Sequence, residues 1–235
     1  MQAAPVLADV LARLAAAATP KDLANLQRFG IAASRPLGVS MANIQKVAGG
    51  LGCNHALAAE LWGSGIHEAK LLAAYVDEPA KVTAAQMDRW VRDFDNWAVC
   101  DTRCFALLDR TPHAWRCVDR WASARQEFVR RAAFALMASL AVHDKAAPDA
   151  CFLDRLPLIE AAADDARDLV RKGVSWALRT AGRRRPALHR AALAVATRLA
   201  APDDAGARWV GKDASRDLRG PVATRAVLKR AAKKR

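Results

Sequence analysis

Apolar residues recur three and four positions apart along most of the chain, which is the spacing of one buried helix face. Runs of β-branched and aromatic residues, which are typical of strands, are rare, whereas alanine and leucine dominate. The helical pattern is clear in Val6, Val10, Leu11 and Leu14, in Met87, Trp90, Val91 and Phe94, and in Val129, Ala133, Leu136, Met137 and Leu140. The sequence therefore predicts an all-α fold.

Proline and glycine divide these segments into helices of about a dozen residues joined by short turns. Stacked helical hairpins form an α-solenoid with a concave surface, and this is the predicted architecture. A compact helix bundle is the alternative, because no crisp repeat consensus is visible. We expect a single solenoid domain over residues 1–221 and a basic C-terminal helix or tail over 222–235.

Local signals refine these boundaries. Thr83 is a predicted N-cap, and Thr111 followed by Pro112 predicts another helix start. Pro157 should kink or restart the helix over 150–163. The segment 201–214 is rich in Asp and Gly, which predicts a loop.

Charge narrows the choice of partner. The 235 residues carry a formal net charge of +13, with 53% hydrophobic residues, so the chain should fold and attract a polyanion. DNA, RNA and an acidic membrane surface are all polyanions that such a charge would attract. In the alternative explanation, the charge reflects only a general preference for arginine. Residues 1–83 are near neutral, whereas 166–190 hold eight basic residues against Asp168 alone. Positive potential is therefore concentrated in the C-terminal part.

The five cysteines form no CxxC pair and no cluster with zinc-ligand spacing. We expect buried, reduced thiols, no metal, no cofactor and a cytoplasmic protein. No signal peptide is recognisable, and the longest apolar run, 132–142, is too short to cross a bilayer, so no membrane partner is expected.

The segment 87–108 carries the candidate chemistry. On a helix, Trp97 and Asp101 lie one turn apart on one face, beside a buried stripe containing Cys100 and Cys104. A carboxylate beside an indole makes a small site facing a groove. In the structural alternative, Trp97 is a core aromatic and Asp101 pairs with an arginine or a helix N-terminus.

Two further segments are basic. Along 167–185, Lys172, Trp176 and Arg179 recur near helical spacing, which suits a sugar–phosphate backbone. The alternative is an amphipathic helix with Trp176 in the core. In the third segment, 128–133, adjacent arginines precede an apolar helix, and the one nearer the apolar stripe should be partly buried and need an anion.

Taken in order, these segments resemble the AlkD family of DNA alkylation repair glycosylases, which are built from HEAT-like repeats. The family's Trp-x-x-x-Asp element matches Trp97 to Asp101, and its Arg-Ala-Ala helix start matches 131–133. Its Trp-x-Leu-Arg element, preceded by lysine, matches Lys172 and 176–179. Leu-Gly-Val at 37–39 fits the N-terminal part, and the resemblance covers roughly residues 20–200.

The resemblance implies a monofunctional glycosylase that removes cationic alkylated purines from duplex DNA without flipping the base. We expect it to act as a monomer and to associate with the nucleoid through DNA. Trp97, Asp101 and Trp176 would be catalytic, with Asp101 stabilising the sugar cation and positioning water. The backbone contacts would come from Phe29, Arg131, Lys172, Arg179, Arg183 and Arg184.

Two positions depart from the family pattern. Ala98 stands where an acidic residue often follows the first tryptophan, and Phe29 stands where a tyrosine is common. Lys172 has the alternative role of a lyase nucleophile, since lysine forms Schiff bases. Two other functions remain open: a non-catalytic HEAT-repeat protein that binds branched or damaged DNA, and a protein-binding scaffold.

Overall fold

The computed structural model describes residues 6–201 and 203–232, and every regular element within them is helical. Polar side chains fix several helix starts by accepting a hydrogen bond from an early backbone N–H group, which leaves fewer orphan donors. Thr19, Ser40, Asn54, Thr83, Asn96 and Asp204 act in this way. The all-α prediction is confirmed, and so is Thr83 as an N-cap.

The helices, in chain order, are α1 (Leu7–Ala16), α2 (Pro20–Arg28), α3 (Met41–Gly49), α4 (His55–Gly63), α5 (His67–Val76), α6 (Ala84–Arg92), α7 (Trp97–Ala106), α8 (Ala114–Trp121), α9 (Glu127–His143), α10 (Asp149–Leu153), α11 (Leu156–Glu160), α12 (Asp168–Gly182), α13 (Pro186–Ala200), α14 (Ala205–Arg219) and α15 (Pro221–Ala232). Two short 3₁₀ turns, Pro79–Lys81 and Leu108–Arg110, flank α6 and α7. Within the described residues no helix is both long enough and apolar enough to span a bilayer.

The chain divides into two compact units, 1–113 and 114–235. In the first unit α5 is the central helix, since it packs against α3, α4 and α7. Its buried Glu68 accepts hydrogen bonds from the backbone N–H groups of Leu37 and Gly38, both at 2.8 Å. Gly38 has a φ of +87°, and a Cβ there would lie 2.7 Å from the Cβ of Leu23. Glycine is therefore required where 37–39 passes α2.

In the second unit α9 and α12 form the core pair, with α8 against α9 and α14 against both α12 and α13. Asp165 ties the turns around this pair together. Its carboxylate accepts hydrogen bonds from Arg130 Nη1 at 2.8 Å and Arg167 Nη2 at 2.6 Å. These guanidinium groups lower the pKa of Asp165 to about 2, with the Arg167 hydrogen bond as the largest cause.

A new helix starts next to Pro157, as predicted, because α10 ends at Leu153 and α11 carries Pro157 in its first turn. The prediction of a helix starting at Thr111 and Pro112 is wrong. The Thr111 hydroxyl instead donates to the Leu108 carbonyl oxygen at 2.8 Å, and α8 begins at Ala114.

The predicted loop over 201–214 is also wrong, since most of it belongs to α14. Asp204 caps this helix by accepting a hydrogen bond from Ala207 N at 2.7 Å. Gly211 permits close packing, since a Cβ there would lie 2.3 Å from Ala200 N. The Asp and Gly residues that suggested a loop therefore serve as a helix cap and a packing contact.

Candidate functional site

The predicted pair of Trp97 and Asp101 lies at the start of α7. Asn96 caps this helix, since its side-chain oxygen accepts a hydrogen bond from Val99 N at 3.0 Å. Trp97 and Asp101 follow one turn apart and are both partly exposed, whereas Cys100 lies fully in the core. The face of α7 that carries the candidate chemistry is therefore accessible while its opposite face is core.

The Trp97 indole is held by the end of α2. Its Nε1 donates a hydrogen bond to the Phe29 carbonyl oxygen at 3.2 Å. Phe29 as a residue is 56% exposed, and the Arg28 guanidinium carbon lies 5.7 Å from the centroid of its ring. The structure thus brings Phe29 and Trp97 together, as two members of the predicted site. Phe29 orients Trp97 through its backbone, a contribution that needs no tyrosine hydroxyl.

The core face of α7 is fixed by an arginine that sequence reasoning did not select. Arg103 is completely buried, with its guanidinium carbon 3.8 Å from the Trp90 ring centroid and 4.6 Å from that of Trp62. Within the described part of the chain, none of its three side-chain nitrogens has a hydrogen-bond partner. Burial lowers the pKa of Arg103 to about 9, so the group stays charged at neutral pH. The two indole rings also contact each other, with centroids 5.8 Å apart and planes tilted by 50°. No local sequence signal reports this cluster, because its members come from α4, α6 and α7.

Cys104, beside the pair, is a poor nucleophile. Burial first, then a hydrogen bond with Cys100 and the nearby acidic side chains of Asp101 and Asp109, raise the pKa of the Cys104 thiol. A neutral buried thiol does not attack a sugar or bind a metal readily. Among the described residues no group of three His, Cys, Asp or Glu side chains is placed to hold a metal ion.

In the second unit, α12 carries the predicted aromatic and basic residues. Lys172 is exposed and Trp176 is partly exposed one turn later, while Val174 and Ala177 face the core. Arg179 is partly exposed, and its guanidinium lies 3.4 Å from Asp213 Oδ2 and 3.7 Å from Asp217 Oδ1. Lys172, Trp176 and Arg179 therefore sit on one helix, with Arg179 already facing two carboxylates of α14.

Arg131 is the more buried of the two adjacent arginines, with 6% of its surface exposed. Its Nη1 donates to the Leu169 carbonyl oxygen at 2.6 Å, at the start of α12. Gly173 lies against it, since a Cβ there would be 3.6 Å from Arg131 Cγ. In this conformation Arg131 joins α9 to α12, and its contact with a phosphate stays a prediction.

Arg183 and Arg184 already form hydrogen bonds within the second unit. Arg183 Nε donates to Asp217 Oδ2 at 3.0 Å. Arg184 is 4% exposed, and its Nη1 donates to the Ala141 carbonyl oxygen at 2.8 Å, at the end of α9. Its guanidinium carbon also lies 4.4 Å from the Phe152 ring centroid. The position of Arg184 gives it a structural role, so its predicted DNA contact has no geometric support.

Comparisons with known proteins agree with this arrangement of helices. The family model described as DNA alkylation repair enzyme matches residues 10–218. A solved structure is similar at a TM-score of 0.75 and 19% sequence identity, over 90% of this chain and 95% of that chain. It is described as representing a new family of proteins related to the HEAT-like repeat DNA glycosylases, with affinity for branched DNA structures. At that identity the likeness establishes a HEAT-like repeat fold. No curated protein shows significant similarity to the chain.

Because the family model covers most of the sequence, the chain belongs to the family of DNA alkylation repair enzymes.

Proposed function

We propose that this protein is a monofunctional DNA glycosylase that hydrolyses the N-glycosidic bond of cationic alkylated purines, such as 7-methylguanine and 3-methyladenine, in duplex DNA. The observation that carries the proposal is the pair on α7. Asp101 and Trp97 share a partly exposed face in a chain that belongs to a DNA alkylation repair family. The hydrogen bond from Trp97 to the Phe29 backbone supports the proposal further, because a catalytic indole must be held in one orientation.

The reaction needs little from the protein beyond electrostatics. An alkylated purine carries a positive charge, so when the bond from C1′ to the base nitrogen breaks, the electron pair leaves with a neutral base. Positive charge then grows on the deoxyribose, and the Asp101 carboxylate stabilises it. Water attacks C1′, and Asp101 accepts the proton that this water loses. Trp97 shields the sugar from bulk solvent while admitting the attacking water, and it offers its π face to the sugar.

The backbone of the DNA is held, on this proposal, by exposed cations of the second unit. Lys172 is the best placed of the predicted contacts, since it is exposed beside Trp176 on α12. Arg179 should contribute less to DNA affinity, because Asp213 and Asp217 already lie beside its guanidinium before DNA binds. A phosphate that displaced those carboxylates would have to outcompete two ion pairs. Binding without base flipping, as a monomer, belongs to the same proposal.

A second candidate function is non-catalytic binding of branched DNA, because the similar solved structure is described as having that affinity. The candidates differ in what they require of α7. A binding protein has no need of a partly exposed carboxylate, which repels phosphate, beside a fixed indole. The position of Asp101 therefore favours the glycosylase.

Release of free bases from methylated DNA tests the proposal. Wild-type protein should release 7-methylguanine, 3-methyladenine or both, faster than the same DNA incubated without protein. If the wild type binds the DNA and releases neither base, the protein is the non-catalytic binder. Phosphate contacts also predict that log affinity falls with log salt by a slope of about −0.9 per neutralised phosphate. DNA affinity that is undetectable or independent of salt would instead indicate a protein-binding scaffold.

A further inference from the structure

The second unit contains an aromatic and cationic cavity outside the predicted catalytic trio. Trp209, on α14, is 42% exposed, which is unusual for so large an apolar side chain. It lines a cavity of about 210 Å³ together with Asp168, Arg171 and Lys172 of α12. Lys172 thus links this cavity to the predicted DNA contacts, whereas Trp209 falls in the segment that was predicted to be a loop.

The walls of the cavity stand on two packed helices. Gly206 lets α12 approach the first turn of α14, since a Cβ there would lie 3.1 Å from Arg171 Cδ and 3.3 Å from the Ala163 carbonyl oxygen. Arg171 forms an ion pair with Asp168, three residues earlier. The Asp168 carboxylate that lines the cavity is therefore partly neutralised, and the indole and the cations are held on regular backbone.

Size and charge restrict what this cavity can hold. At about 210 Å³ it is smaller than the pockets of roughly 300–1,000 Å³ that enclose drug-sized ligands, so one ring system or one sugar–phosphate fits. Lys172 is exposed at its edge, and Lys212 is exposed one turn beyond Trp209 on α14. An anionic group carrying a flat ring is the chemical class that matches this combination.

We propose that the cavity receives the base of an unpaired nucleotide of DNA, stacked on Trp209, while the phosphate of that nucleotide lies outside the cavity beside Lys172. This inference rests on the DNA binding in the proposed function and does not require catalysis. The faces of bases inside an intact duplex are covered by their neighbours, so away from the duplex ends only an unpaired base can offer a face to the indole. The cavity therefore gives the protein a preference for duplexes that carry single-stranded nucleotides.

Fluorescence anisotropy with two labelled DNAs tests this preference. One DNA is a blunt duplex, and the other is the same duplex with a single-stranded extension of roughly ten nucleotides. Trp209→Ala should weaken binding of the extended duplex by about 5- to 150-fold, the range set by one base–aromatic stack, and change binding of the blunt duplex less than about 2-fold. Trp209→Phe should keep most of the affinity, since phenylalanine also stacks.

Leu228→Ala is the matched control, because Leu228 is a 62% exposed apolar residue of α15 that lies outside the cavity. It should bind both DNAs like the wild type, and thermal melting checks that each variant is folded. The inference is overturned if Trp209→Ala and the wild type bind the extended duplex equally well, or if the variant loses equal affinity for both DNAs. If the protein still releases bases in that case, the proposed function stands and only the inference fails. If the wild type binds no DNA, both the inference and the proposed function fail.

Discussion

Replacing Asp101 by asparagine removes one negative charge from α7 and leaves the shape of the side chain almost unchanged. A carboxylate about 4 Å from a unit positive charge gains about 1 kcal/mol in bulk water and about 4 kcal/mol at an effective dielectric constant near 20. Asp101 is partly exposed, which places its contribution between these limits. At about 1.4 kcal/mol per factor of ten, Asp101→Asn should slow base release by roughly 5- to 1,000-fold.

The assay is single-turnover release of 7-methylguanine from methylated duplex DNA with protein in excess. This condition reports the chemical step and is insensitive to product release. Anisotropy measured with the same DNA should show that Asp101→Asn binds at least as tightly as the wild type, since a charge that repels phosphate has been removed. A slower chemical step with undiminished binding is the signature of transition-state stabilisation.

Asp9→Asn is the matched control. Asp9 is an exposed carboxylate on α1 of the same unit, so this variant makes the same change in net charge away from α7. It should release bases at the wild-type rate. If Asp101→Asn and Asp9→Asn are equally fast, or equally slow, the negative charge of Asp101 has no specific part in the reaction and the mechanism is refuted.

Three further predictions concern stability. Arg184→Met should lower the free energy of unfolding by about 2–3 kcal/mol, because buried carbonyl groups at the end of α9 lose charged donors. Denaturant titration measures this change. A loss of DNA affinity in the folded variant would instead indicate that Arg184 contacts a phosphate. The pKa of Asp165 falls from 3.8 to about 2 on folding, so above pH 4 the free energy of unfolding of the wild type should exceed that of Asp165→Asn by roughly 2 kcal/mol. This difference should shrink as pH falls through about 2. Denaturant unfolding at several pH values measures it, and a difference that stays constant with pH contradicts the prediction. Arg103→Lys should lower Tm more than Arg103→Met, since a compact ammonium buries a charge without the flat surface that contacts both indole rings. Calorimetry giving the opposite order would show that the charge matters more than the shape.

Helical periodicity was sufficient to predict the fold class, because buried apolar residues impose their spacing wherever a helix covers a core. Boundaries were harder, as Thr83 and Thr111 show. Both are threonines ahead of an apolar stretch, yet only Thr83 accepts a hydrogen bond from the backbone of a following helix. Thr111 donates backwards to Leu108 and contacts the Met87 sulfur, 3.4 Å away. That choice depends on a partner 24 positions distant, which no local pattern reveals.

The same limit applies to the candidate site. The one-turn spacing of Trp97 and Asp101 follows from helix geometry alone, so it was predictable. The hydrogen bond from Trp97 to the Phe29 carbonyl spans 68 positions, so no local pattern reports it. The helical position of Trp209 could not be predicted for another reason. Its segment holds Asp and Gly residues, and a glycine that allows close helix packing looks the same in the sequence as a glycine in a turn.

The arginine run 183–185 shows why net charge overstates the number of phosphate contacts. As a sequence it is three adjacent cations, whereas each side chain already has polar partners within the second unit. Arg183 pairs with Asp217, Arg184 donates to carbonyls of α9, and Arg185 Nη1 lies 2.7 Å from Asp149 Oδ1. A guanidinium that leaves such partners for a phosphate exchanges one charged hydrogen bond for another, so it contributes little net affinity. The positive charge still raises the local potential and the association rate. Affinity should therefore depend on exposed cations such as Lys172, and the salt slope should count far fewer phosphates than the net charge of +13 suggests.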